Sequence, residues 1–143
     1  MSSKIRALEH RFVQELNKGK EAAIAALDAT CAIDVVVHAA GGDIHGLKDF
    51  KLYSSRLFDA FPDTHVTLDD VIVEENKAVI RYTTTATHKG ELFGIPPTNK
   101  KVKFWAIEID RFSGGKFAEI WSRFDTLDLM QQLGIAPTQG KRK

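Results

Sequence analysis

Cysteine occurs once in this sequence of 143 residues, at Cys31, so no internal disulfide framework can hold the fold and a packed core must do so instead. No Cys/His spacing has the form of a zinc site, and Cys31 itself reads as a small core residue. Long apolar runs are lacking too: nothing approaches the ~20 apolar residues of a membrane span. The opening MSSKIRALEH interleaves charge with apolar residues rather than setting a basic start before an apolar run. The net charge is only +1, and three positive charges sit together at Lys141, Arg142 and Lys143. The remainder is slightly acidic, which is no nucleic-acid footprint. There is no internal repeat and no low-complexity stretch. The expectation is a soluble, reduced, cytoplasmic protein without nucleic-acid or membrane partners.

What is present suits one domain. Hydrophobic residues make up 43% and charged residues 27%, and a chain of this length buries roughly 70% of the surface its unfolded form exposes. Residues 1–137 are expected to form a single domain and 138–143 a mobile basic tail. Ile5, Leu8, Phe12 and Leu16 recur at spacings of three and four, predicting an amphipathic helix stopped by Gly19. An alanine-rich second helix covers 21–27. The apolar run 31–37, interrupted by Asp34, reads as a short extended piece closed by His38, and Gly41-Gly42 as a loop. Leu47, Phe50, Leu57, Phe58 and Phe61 give a third helix ended by Pro62.

From His65 the texture changes to strands. Residues 66–73 and 78–88 form a predicted hairpin turned at 74–77, with Ile80, Tyr82, Thr84, Ala86 and His88 on the core-facing side. A loop over 89–101 carries Pro96-Pro97, which cannot continue a ladder. Strands over 102–112 and 116–124 are joined by a Ser-Gly-Gly turn. In the first of these, Val102, Phe104, Ala106 and Glu108 share one face and Trp105, Ile107 and Ile109 the other. Both faces are apolar enough to be buried, one against the core and one against a partner chain. Helices followed by strands predict an α+β domain, a curved four-stranded antiparallel sheet packed on three N-terminal helices, with a short C-terminal helix over 126–133 and an apolar pocket at the helix–sheet seam.

The stretch Glu119-Ile120-Trp121-Ser122-Arg123-Phe124-Asp125 ends an aromatic strand in a carboxylate. Asp125 has two readings, an N-cap for the helix that follows or a pocket acid/base.

Several words spread from about His38 to Gly134 are family-like: Ala60-Phe61-Pro62-Asp63, Thr87-His88-Lys89-Gly90, Gly94-Ile95-Pro96-Pro97-Thr98-Asn99-Lys100, and Glu119-Ile120-Trp121 followed by Asp125 and Leu129-Met130-Gln131-Gln132-Leu133-Gly134. In these the chain resembles the SnoaL-like polyketide cyclases (ester cyclases) of the nuclear-transport-factor-2-like superfamily. Asn99 stands where that family usually has Gly, a replacement a turn at positive φ tolerates. The resemblance implies a cone-shaped α+β barrel, a homodimer packed through the sheet, a deep pocket for a small apolar molecule, and no metal or organic cofactor. It also implies ring closure of a polyketide ester by intramolecular aldol condensation, with Asp125 as acid/base.

Such chemistry needs a carbon-bound proton removed, an enolate stabilised and a proton delivered. A carboxylate desolvated by aromatic neighbours serves without a metal. His88, His38 and Tyr82 are candidate donors to the enolate. Tyr82, Phe104, Glu108, Trp121 and Phe58 are the expected pocket lining, Glu108 as a second carboxylate if its strand face turns inward. Each histidine has a structural alternative, His88 in bonding the Gly90 turn and His38 in bonding a backbone carbonyl; His10, His45 and His65 read as surface residues. The rival readings are a hydrolase or isomerase on the same scaffold, in which a polar network holds a water against a carboxylate, and a non-enzymatic ligand-binding module.

Overall fold

The computed structural model describes residues 2–137; the expected mobile tail lies outside the described residues. The elements, in chain order, are α1 (Ser2–Leu16), α2 (Lys20–Thr30), β1 (Cys31–Ala39), β2 (Gly42–His45), α3 (Leu47–Ala60), β3 (His65–Glu74), β4 (Lys77–Thr87), β5 (Lys101–Ser113), β6 (Lys116–Phe124) and α4 (Thr126–Gln132). Their boundaries have local causes. Gly19 separates α1 from α2 at φ 118°, a conformation that side-chain-bearing residues avoid. Pro62 confines Phe61 to φ −130° and ψ 73°, outside the helical region, so α3 stops at Ala60.

The sheet departs from the predicted four antiparallel strands. It has six, in the order β2-β1-β6-β5-β4-β3, and it is mixed, because β1 runs parallel to β6 with Val36 opposite Glu119 and His38 opposite Trp121. Ala40 and Gly41 turn a hairpin between β1 and β2, with Gly42 already paired to Ala39, instead of an open loop over Gly41-Gly42. A parallel partner 83 residues away, Glu119 opposite Val36, leaves no hairpin signature in the sequence, so β1 read as an isolated piece. Register shifts in β3 between Leu68 and Asp70, and where β5 meets β6 between Arg111 and Phe112, bend the sheet.

The concave face carries Val35, Val37, Ala78, Ile80, Ala86, Val102, Ala106 and Ile120, all buried. α1 packs chiefly along β3, α3 along β1 and β2, and α4 against β5. The apolar interior is in two pieces. One joins Ile5, Leu27, Cys31, Val35, Phe112 and Phe117 under α1 and α2; the other joins Phe61, Leu92, Val102, Leu129 and Leu133 near α4. No helix among the described residues is long and apolar enough to cross a membrane.

The loop after β4 is tied down through His88. Its backbone N–H donates to Lys100 O at 3.0 Å, and its carbonyl accepts from Asn99 N–H at 2.8 Å. Asn99 holds φ 60°, the turn geometry anticipated for it. The N–H groups of Lys89 and Gly90 both donate to Ala60 O, at 2.9 and 3.1 Å, which presses the loop onto the end of α3. A Cβ on Gly90 would collide with the Asp59 carbonyl, whereas one on Gly41 would meet nothing. Gly90→Ala is therefore expected to lower unfolding free energy by ~2 kcal/mol or more, and Gly41→Ala to stay within about 0.5 kcal/mol, as read by denaturant titration.

Candidate active site

Between the two apolar clusters the interior turns polar. Glu108 and Asp110 alternate inward from β5, Tyr82 projects from β4, Ser122 faces Tyr82 from β6, and Glu9 comes down from α1. Asp110 is 0% exposed and Glu9 2%. Glu108 and Tyr82, though packed deeply, keep contact with solvent. The Tyr82 hydroxyl donates to Glu108 Oε1 at 3.5 Å, the outer limit of a hydrogen bond. Asp110 lies against Glu9 and Glu108, its two oxygens find no partner that carries an ordinary donor, and none of the three acids forms an ion pair with a base among the described residues.

Two carboxyl groups can bond to each other only through a proton. Burial and mutual repulsion supply it. Desolvation, with the Glu108 charge next, holds Asp110 well above the usual carboxylate range, and a proton on Asp110 is the one its neighbours accept. Glu9 is pushed up to about 7, mainly by burial. Glu108 is also raised by burial, but donation from Asp110 and Tyr82 favours its charged form. Of the three, Glu108 is thus the one supported as an anion and reachable from solvent.

Tyr82 and Glu108 both face the interior. Phe104 packs on Phe124, ring centroids 5.2 Å apart, at the edge of the second apolar cluster, and Phe58 is buried on α3. Trp121 does not line the interior. Ile120, Ser122 and Phe124 turn inward, so Trp121 faces outward opposite Ile109 and stacks on His38 at 5.4 Å. His38 shares that outer face. Its Nδ1 lies 2.8 Å from Asp43 Oδ1 and its Nε2 2.7 Å from Glu119 Oε2, so both nitrogens are placed to donate. Glu119 first, then Asp43, raise its pKa. The place of His38 is in a convex-face ion network completed by Arg111, not in the cone.

His88 points inward as expected but has no exposed surface. Thr98 N–H donates to its Nδ1 at 3.2 Å, so the ring proton lies on Nε2, which is buried without a partner beside the Phe61 ring. This histidine anchors the loop. Asp125 is exposed, and its Oδ1 accepts from Asp128 N–H at 2.9 Å as the N-cap of α4. Two surface hollows, of about 370 Å³ beside Asp34 and Arg111 and about 480 Å³ beside Arg56 and Phe93, do not reach the carboxyl cluster. Glu9 escaped the sequence reading. The available signal was its position, one after Leu8 and four after Ile5, inside the apolar stripe of α1.

A curved mixed sheet, helices on its concave side and a polar patch deep within define a cone-shaped domain of the nuclear-transport-factor-2-like class. Within that class the SnoaL-like polyketide cyclase profile matches residues 7–133, and the chain belongs to that family. AclR of Streptomyces galilaeus, a candidate hydroxylase, superposes with TM-score 0.83 at 26% identity, over 96% of this chain and 100% of its own. TsrD of Streptomyces laurentii does so with TM-score 0.83 at 26% identity, over 94% and 98%. An epoxide hydrolase of the LEH-like type from M. tuberculosis shares the fold with TM-score 0.72 at 15% identity, over 92% and 90%. No curated protein sequence matches the chain closely enough to count as a relative.

The proton inventory of the interior fixes a pH dependence. Glu9 keeps its proton in the folded chain where the unfolded chain has lost it. The stability it adds is complete below pH about 4.5 and is lost as pH rises through about 7. Thermal and urea unfolding between pH 5 and 7 should show stability falling by at least about 1 kcal/mol per pH unit. The raised pKa values of Asp110, Glu108 and His38 act in the same direction, so Glu9→Gln should remove only the share that Glu9 contributes, about 1 kcal/mol per pH unit, and leave the rest of the slope.

Proposed function

We propose that this chain is a cofactor-independent acid–base enzyme acting on an apolar, carbonyl-bearing small molecule in the cyclase manner of its family, with Glu108 as the working base. The observation that carries the reading is the set of acids set between two apolar clusters, of which Glu108 alone combines anionic support with contact to solvent. In an intramolecular aldol closure Glu108 removes a proton from the carbon between two carbonyls. The Tyr82 hydroxyl, held at 3.5 Å and so easily redirected, donates to the developing enolate oxygen. The enolate carbon then forms the new C–C bond to a second carbonyl of the same molecule. Glu108 returns its proton to the resulting alkoxide, so substrate and product are isomers and the enzyme ends unchanged.

Hydrolysis is the second reading. What favours it is the same contact between Glu108 and solvent: a carboxylate flanked by Tyr82, Ser122 and Asp110 can equally orient a water. Asp125, the aspartate that the family pattern favours, enters either reading only from the rim, because one of its oxygens is engaged in capping.

The outer sheet face fits a second copy of the chain. Trp105, Ile107 and Ile109 are 57%, 45% and 38% exposed in one row beside Trp121, a patch suited to isologous packing. Trp105→Lys is expected to weaken self-association at least tenfold in sedimentation equilibrium.

Deuterium exchange at the α-carbon of a 1,3-dicarbonyl probe, followed by NMR, tests the catalytic reading. Glu108→Gln should slow catalysed exchange by about 10²–10⁴-fold, and Asp125→Asn, which preserves the cap, should leave it within a few-fold. Loss of exchange in Asp125→Asn with full exchange in Glu108→Gln would move the base to the rim and end the reading.

A further inference from the structure

Glu9 is the only member of the carboxyl cluster that the sheet does not supply, and α1 would fold better without it. It occupies the buried stripe of an amphipathic helix between Ile5 and Phe12, where an apolar residue would pack at no desolvation cost. It forms no ion pair among the described residues, and its Oε2 and both Asp110 oxygens find no ordinary donor. Such groups persist in a folded interior only when something satisfies them.

We propose that Glu9 is a positioning residue, whose carboxyl group set against Asp110 keeps Asp110 protonated and so a hydrogen-bond donor to Glu108. The inference rests on Glu108 being the working base, and it extends that reading from the sheet to the helix that closes the cone. Every titratable group against the pair is accounted for: Glu108 and Asp110 on β5, Tyr82 on β4 and Glu9 on α1. Kept protonated, Asp110 faces Glu108 as a neutral donor rather than as a second anion. Glu108 can then carry charge next to a carboxyl group without repulsion. Without Glu9, Asp110 loses a neighbouring carboxylate that discourages its ionisation. Its proton then dissociates at lower pH, and the two β5 acids compete directly. The arrangement also links site and scaffold, because a shift of α1 away from β5 would change the protonation of the site before a substrate reached it.

The test needs no substrate. In full-length protein carrying ¹³C at the Asp and Glu side-chain carboxyls, the Asp110 and Glu9 signals, assigned through Asp110→Asn and Glu9→Gln, are followed from pH 4 to 9. In the wild type both signals should move at the same two shared midpoints, the behaviour of a coupled pair; two independent single-step curves would overturn the proposal without recourse to any variant. In Glu9→Gln the Asp110 midpoint should fall by at least one pH unit, and a midpoint left in place would overturn it equally. The pH profile of probe exchange should shift in the same variant while Glu108 still supports turnover. Failure of the catalytic reading is a separate event, seen only as undiminished exchange in Glu108→Gln.

Discussion

Glu9, Glu108 and Asp110 cannot all be charged inside one apolar cone, and much of the interior is arranged around that constraint. An isolated carboxylate in such surroundings costs several kcal/mol, and no lysine or arginine pairs with these three among the described residues. The acids therefore hold protons, and the protons become hydrogen bonds. Asp110 donates, Tyr82 donates, and Glu108 receives both. A purely apolar interior would have allowed the two hydrophobic clusters to merge. Instead they are kept apart by a polar layer, at a cost in stability.

The geometry that makes this layer possible belongs to the curved sheet and its uneven cover. α1 leans on β3 and α3 on β1 and β2, so the middle strands present Glu108 and Ser122 toward the space between the helices. β1, running parallel beside β6, extends the concave wall, and its outward residue His38 joins Glu119, Asp43 and Arg111 on the opposite side. The sheet thus separates two kinds of electrostatics. Outside, opposite charges neutralise one another in pairs; inside, like charges are neutralised by protons.

How much of this was legible depended on whether the cause was local. Helix periodicity, the proline stops, the inward side of β4 and the positive φ of Asn99 all follow from near neighbours in sequence, and they match the fold. The facing of β6 did not follow. Trp121 was expected among the pocket residues, but it turns outward opposite Ile109, and Asp125, beyond the last strand residue, takes its orientation from capping α4. β1 was underestimated because its main partner is parallel and distant. Glu9 was overlooked although a carboxylate inside the stripe of Ile5, Leu8 and Phe12 is a local irregularity, the kind of mismatch that marks a functional position.

Asp125 and Glu108 now divide the two jobs that one residue was first expected to hold. A cap requires an acceptor oxygen beside free N–H groups, in contact with water, and Asp125 has that setting at the first turn of α4. A general base for a carbon acid requires a different setting: a carboxylate largely withdrawn from water yet still reachable, with donors that support its charge without quenching it. Glu108 has that setting, since Tyr82 and Asp110 donate to it while burial raises its proton affinity. The same functional group, placed at the rim and at the depth of one cone, is a structural cap in the first position and a candidate base in the second. Environment alone makes the difference.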